Sequence, residues 1–219
     1  MEIINIGDSI PSETKIWRYF KFNRFIELLE NKNIYFAAAT QFEDPFEGVV
    51  SIIPYEQSYV ENSYNNAFKE LCRLIKISCW HIEEYESDAM WKIYANFGKG
   101  IAISTTIEKI LSSMKPYTLP KALESEDLIF WKISYVNLIG NELNVDMRKR
   151  FFYKHIIFNW EKEFRLAISL RMAEEFGVNI PEKGIYVEID LYKLIDDIYI
   201  GPTLGENDIK YCIDICKEL

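Results

Sequence analysis

Hydrophobic and polar positions alternate with changing period along this 219-residue chain, and each change marks an element. Ile16-Trp17-Arg18-Tyr19-Phe20 reads as a short aromatic strand. Asn23 is placed to cap a helix through Arg24–Glu30 that stops at Asn31-Lys32-Asn33, and residues 33–39 are β-like. Residues 55–75 carry Tyr64, Phe68, Leu71, Cys72 and Ile75 at helical spacing, and Lys76-Ile77-Ser78-Cys79-Trp80 follows as a strand. Ser87 or Asp88 caps a helix bearing Met90, Trp91 and Tyr94. Gly98-Lys99-Gly100 turns into the strand Ile101–Ser104, and Thr106 caps the helix Ile107–Met114. A strand is expected over 131–138. A helix is expected over 142–159, with Phe151, Phe152, His155, Ile156 and Trp160 at helical intervals. A strand, a helix-loop region over 172–184, strands at 186–190 and 197–200 and a closing helix at 206–217 complete the chain. The order lacks regular βαβ alternation. It predicts a single α+β domain over 1–219, with a central, mostly antiparallel or split sheet flanked by helices.

One segment breaks the simple pattern. In Trp160-Glu161-Lys162-Glu163-Phe164-Arg165 an extended backbone puts Glu161, Glu163 and Arg165 on one face, while the apolar residues form no single stripe. Two carboxylates beside an arginine make a structural ion pair, or they polarise a sugar hydroxyl and steady a cationic transition state. Arg18, on an otherwise apolar strand, demands carboxylate partners if buried. Asp44-Pro45 within Phe42–Gly48 forces residue 44 out of the α region, so that loop has a defined shape and places Asp44 and Glu47.

Composition narrows the partners. Hydrophobic residues make up 49% and aromatics 15%, enough for a packed core. The net charge is −9 and the longest basic run is Arg148-Lys149-Arg150, so the footprint for duplex nucleic acid is missing. Cys72, Cys79, Cys212 and Cys216 do not follow zinc spacing and are expected as reduced thiols. The first residues lack a signal-peptide pattern and no apolar run approaches the ~20 residues that span a bilayer, so the expectation is a cytoplasmic protein without membrane contact.

Common chemistries are not spelled out. Neither GxxxxGK[ST] nor GxGxxG occurs, and Gly98-Lys99-Gly100 reads as hairpin chemistry. His155 lies on an apolar stripe and suits the core; His81 specifies no partner. No ligand spacing calls for a metal.

Taken in order, the motifs Phe42-x-Asp44-Pro45-Phe46-Glu47, Ser78-Cys79-Trp80, Met90-Trp91-x-x-Tyr94, Gly100-Ile101-Ala102-Ile103, Trp160-Glu161-x-Glu163-Phe164-Arg165 and Tyr199-Ile200-Gly201-Pro202 resemble the prokaryotic domain-of-unknown-function 2971 family over roughly Ile16–Leu219. That family carries Asn before Asp-Pro, where this chain has Glu43. The resemblance supplies a family and no activity.

A second similarity is to ADP-ribosyltransferases, through the order Arg18, then Ser78 (or Ser104-Thr105-Thr106), then Glu161-x-Glu163. It implies NAD as substrate, with Arg18 on the pyrophosphate or ribose and Ser78 setting the active-site strand. Glu163 would bond the nicotinamide-ribose hydroxyl, and Glu161 would activate the acceptor. Tyr19, Trp91 and Tyr94 would stack on the rings, with Asp44, Glu47 and Arg165 also lining the cleft. The function it implies is an NAD-consuming enzyme, in the setting of an intracellular toxin or phage-defence effector, acting on a nucleotide or small molecule with a macromolecular acceptor. The alternative is a non-catalytic module that binds a nucleotide or protein, in which the same polar cluster is closed and fully paired. A metal-dependent nuclease or hydrolase requires Asp44, Glu47, Glu161 and Glu163 around Mg²⁺.

Overall fold

A computed structural model describes residues 1–42, 69–120, 122, 124–139, 144–146 and 149–218. The strands and helices run β1 (Ile3–Asn5), β2 (Lys15–Lys21), α1 (Phe22–Asn31) and β3 (Asn33–Ala38), then α2 (residues 69–74) and β4 (Ile75–Ile82). They continue with α3 (Asp88–Tyr94), β5 (Gly100–Thr106), α4 (Ile107–Ser113), β6 (Leu128–Lys132), β7 (Ser134–Val136) and β8 (Tyr153–His155). The last are β9 (Glu163–Ser169), α5 (Arg171–Glu175), β10 (Gly184–Glu188), α6 (Leu191–Leu194), β11 (Asp197–Ile200) and α7 (Glu206–Glu218). The fold is α+β, with strands in mixed pairing and helices flanking them.

The chain divides into two compact units. The first comprises Met1–Ser9, Tyr35–Cys79 and Pro116–Tyr186. In it β1 pairs β6 in parallel, β6 pairs β9 antiparallel, and β3 pairs β4 antiparallel at Ala37↔Ile77. β7 and β8 form a separate parallel pair. Phe151, Phe152, Phe164, Leu166, Ala167 and Ile168 are fully buried in this unit.

The second unit comprises Ile10–Ile34, Trp80–Lys115 and Val187–Leu219. Here β2 lies antiparallel to β5 along its whole length, from Lys15↔Thr106 to Lys21↔Gly100, and β5 is antiparallel to β11. Trp17, Tyr19, Met90, Trp91, Ala95 and Ala102 form one core cluster, with Tyr199 packed against it.

Local rules explain much of this. Ser87 accepts from the Met90 amide at the start of α3, and Thr106 from the Lys109 amide at the start of α4. Around α1 they do not: the helix begins at Phe22, Lys21 is its uncapped N-cap residue, and Asn23 falls inside the first turn. Burial of Phe25, Ile26, Leu28 and Leu29 holds this helix, so packing outweighs the cap. Ile75, expected on a helix, opens β4 instead.

The largest departure is at 142–159. The described part of it contains a 3₁₀ turn at Lys149–Phe152, the strand β8, and a second 3₁₀ stretch at Ile156–Glu161. The expected strand over 131–138 is likewise divided between β6 and β7. Both corrections share one cause, since Tyr135 pairs Lys154 and Val136 pairs His155 in the β7–β8 ladder. Long-range pairing overrides a local helical period.

Candidate functional site: a closed charge cluster

Strand β9 runs Glu163–Ser169, so Glu163 and Arg165 lie on one face, as the period of two requires. Both Arg165 Nε and Nη2 donate to Glu163 Oε2, at 2.8 and 2.7 Å. Arg165 Nη1 donates to the Phe151 carbonyl at 2.6 Å, and the guanidinium lies 5.4 Å from the Phe42 ring centroid. From β8, the Lys154 ammonium binds Glu161 Oε2 and stands 3.9 Å from Glu163 Oε1. It also sits 4.7 Å from the ring centroid of Phe158. The Glu163 amide donates to the Tyr135 hydroxyl at 2.9 Å.

The site is dry. Lys154 is 7% exposed, Glu161 6%, Glu163 7% and Arg165 0%. Two cations meet two carboxylates, so the cluster is neutral as a whole. Burial, reinforced by the neighbouring Glu163 charge, holds the Glu161 carboxyl above its usual range, with Lys154 opposing. Lys154 is raised as well: burial disfavours its charge, yet the two carboxylates lift it above the ordinary lysine value. Tyr135 stays a phenol, since burial pushes it up against the effect of the Glu163 amide.

Glu161 enters this cluster by a route the sequence does not suggest. It ends the 3₁₀ stretch, and Lys162 then adopts the left-handed region at φ 42°, ψ 52°. Simple alternation is therefore broken between Glu161 and Glu163. Sequence reasoning also missed Lys154 and Tyr135. A helical reading of 142–159 hides Lys154, whereas the β8 register opposite Tyr135 places both residues beside the carboxylates.

The other expected site residues are distributed as follows. Ser78 belongs to the first unit and is buried on β4. Arg18, Tyr19, Trp91 and Tyr94 belong to the second unit. There the Arg18 guanidinium lies 5.4 and 5.5 Å from the Phe20 and Trp80 rings. The Tyr19 hydroxyl accepts from the Ser87 amide at 2.9 Å, and burial lifts it to about 12. Trp91 packs edge-on against Tyr19 and donates to Glu86 Oε2 at 2.8 Å, so both rings are core. Tyr94 is exposed. Ser104 donates to Asp197, and Thr106 is a helix cap. Asp44, Glu47 and Glu43 lie outside the described residues.

His155 is buried, as expected, and accepts the Ile157 amide on Nδ1, but its buried Nε2 has no hydrogen-bond partner among the described residues, so it is core without being fully satisfied. The four cysteines are free thiols. Gly98-Lys99-Gly100 is bonded to the segment after β11: Gly201 N–H donates to Gly100 O at 2.9 Å and Thr203 N–H to Gly98 O at 3.2 Å. Among the described residues no group of three or more His, Cys, Asp and Glu is placed to hold a metal ion, and no helix is long and apolar enough to cross a membrane.

No protein-family model matches the chain, and neither a curated protein nor a solved structure does.

Proposed function

We propose that the chain is a non-catalytic binding module for a protein partner, and that the charge cluster acts as a clamp beneath the recognition surface. The observation that carries this reading is the closure of the cluster. Each carboxylate is nine-tenths buried and faced by Lys154 or Arg165, so a ribose hydroxyl meets Glu163 only if the cover over the cluster opens.

The surface it holds is the stretch Ile156–Trp160. Lys154 and Glu161 flank that stretch and bind each other, which closes it as a loop. The Ile157 amide bonds His155 Nδ1 and the Lys162 amide bonds Asn159 O, fixing the loop at both ends. Ile156, Ile157 and Trp160 are 42%, 64% and 41% exposed. A rigid apolar lip with a tryptophan suits an apolar pocket on another protein, because its ordering entropy is already spent in folding.

A second reading, the NAD-consuming ADP-ribosyltransferase, is favoured by the raised Glu161 carboxyl two residues from Glu163. Under it Glu163 carries the transfer.

One experiment separates them. Nicotinamide release from NAD is measured for the native chain and for Glu163→Gln, with chemical denaturation of both. The binding-module reading expects no release from either and a large loss of stability in the variant. Release that disappears in a folded Glu163→Gln protein overturns it. A photocrosslinking residue at position 160 supplies the partner test. The expected result is one discrete adduct that Ile157→Asp abolishes.

A further inference from the structure

We infer that the second unit holds a separate site for a small organic anion with an apolar body, gripped by Lys32 and Lys115. A cavity of about 610 Å³ opens between the end of α1, the α6 segment and the start of β11. That volume lies within the range of small-molecule sites. Leu29, Leu191, Ile195 and Ile198 supply its apolar wall.

The charges around it sort by occupation. Asp196 binds the Lys109 ammonium. Asp197 Oδ2 accepts the Ser104 hydroxyl at 3.2 Å. Asp190 caps α6 by accepting the Lys193 amide, and the Lys193 ammonium stands 3.9 Å from its other oxygen. All three aspartates on the wall are thus engaged. Lys32 and Lys115 are the lining cations without an ion-pair partner among the described residues, while Asp197, bonded to a neutral hydroxyl, keeps its charge on the same wall.

Their spacing is built into the backbone. One peptide unit joins them: Glu188 C=O accepts the Lys115 amide at 2.9 Å, and Ile189 N–H donates to Lys32 C=O at 2.9 Å. The carbonyl and amide of a trans peptide point in opposite directions, so the two lysines flank a single fixed plane. Lys32 is further set by its left-handed conformation, φ 49°, at the end of α1. Two cations carried on a fixed stretch of backbone beside an apolar wall match a carboxylate or phosphate attached to an apolar ring.

Three ligands with one ring system test the assignment by titration calorimetry on the full chain: indole-3-acetate, uncharged indole and tryptamine. The expected result is saturable binding of indole-3-acetate at millimolar concentration or below, with both other compounds weaker. Lys32→Gln combined with Lys115→Gln should weaken that binding about tenfold, as expected for losing two solvent-facing charge contacts. The melting temperature should hold, since both side chains are exposed. Tighter binding of tryptamine overturns the assignment, as does indifference to the double substitution or an absence of indole-3-acetate binding. The cluster around Glu163 is untouched by these variants, so this outcome is independent of the function proposed above.

Discussion

At residue scale, Arg165 is fully buried and leans on one carboxylate oxygen of Glu163. A buried ion pair adds little over well-packed apolar residues, but removing one partner strands the other. Glu163→Gln should therefore lower the unfolding free energy by about 3 kcal/mol. Glu163→Leu with Arg165→Met should lose less than that single change. Urea titrations of the three proteins decide the matter, and a double variant less stable than Glu163→Gln contradicts the argument. Lys76 offers a second test. It is fully buried on β4, with Nζ bonded to the Arg73 and Pro181 carbonyls at 2.7 and 2.6 Å. Burial first, and repulsion from Arg73 second, pull it down to about 8 from 10.5. Between those values the unfolded chain binds the extra proton, so this residue makes stability rise with pH through that window and leaves it flat below. The difference in unfolding free energy between the native chain and Lys76→Met should widen across the window in favour of the native chain. A constant difference would show that Lys76 does not titrate there.

At the scale of elements, what the sequence disclosed follows from whether the signal is local. Ser87 and Thr106 announce their helices because a cap bonds an amide three residues away. Glu163 and Arg165 announce a shared face because alternation is a property of the strand itself. Lys154 gives no such notice. Its place depends on β8 finding β7, and a helical period through Phe151, Phe152 and His155 is an equally good local description. The pairing of Glu161 with Lys154 was hidden for the same reason, since a left-handed lysine between two glutamates leaves no mark on the pattern. The two-glycine turn reads as hairpin chemistry, but it joins α3 to β5 and so links a helix to a strand. A Cβ on Gly201 would fall on the Gly98 carbonyl oxygen, which makes the close approach of these backbones a requirement for glycine. Gly201→Ala should then destabilise the second unit by about 2 kcal/mol, within the range for overpacking a filled site. Chemical denaturation followed by tryptophan fluorescence reports it, with Trp17 and Trp91 in that unit's core cluster. A neutral result would mean that the β5 and β11 ends separate freely.

At the scale of the whole molecule, two sequence-level quantities meet the exposed lip. The net charge of −9 keeps copies apart at neutral pH, whereas the pI of about 4.9 marks where that repulsion vanishes. Ile156, Ile157 and Trp160 are exposed, and the Glu161 carboxyl beneath them, held above its usual range by burial, takes up a proton early on acidification. The sign follows from linkage. A carboxyl raised by folding adds stability below its ordinary value and loses it as pH rises through the raised one, so protonation of Glu161, though it ends the ion pair with Lys154, does not by itself unfold the chain in mild acid. Self-association near the isoelectric point should accordingly proceed from folded protein through the lip. Light scattering should increase as pH falls toward 4.9 in the native chain, with near-ultraviolet dichroism unchanged. Ile157→Lys with Trp160→Ser should suppress most of that increase, beyond what an Asp→Asn and Thr→Ser pair of equal charge change achieves elsewhere on the surface. Equal suppression by both pairs would assign the association to charge alone and remove the lip from it.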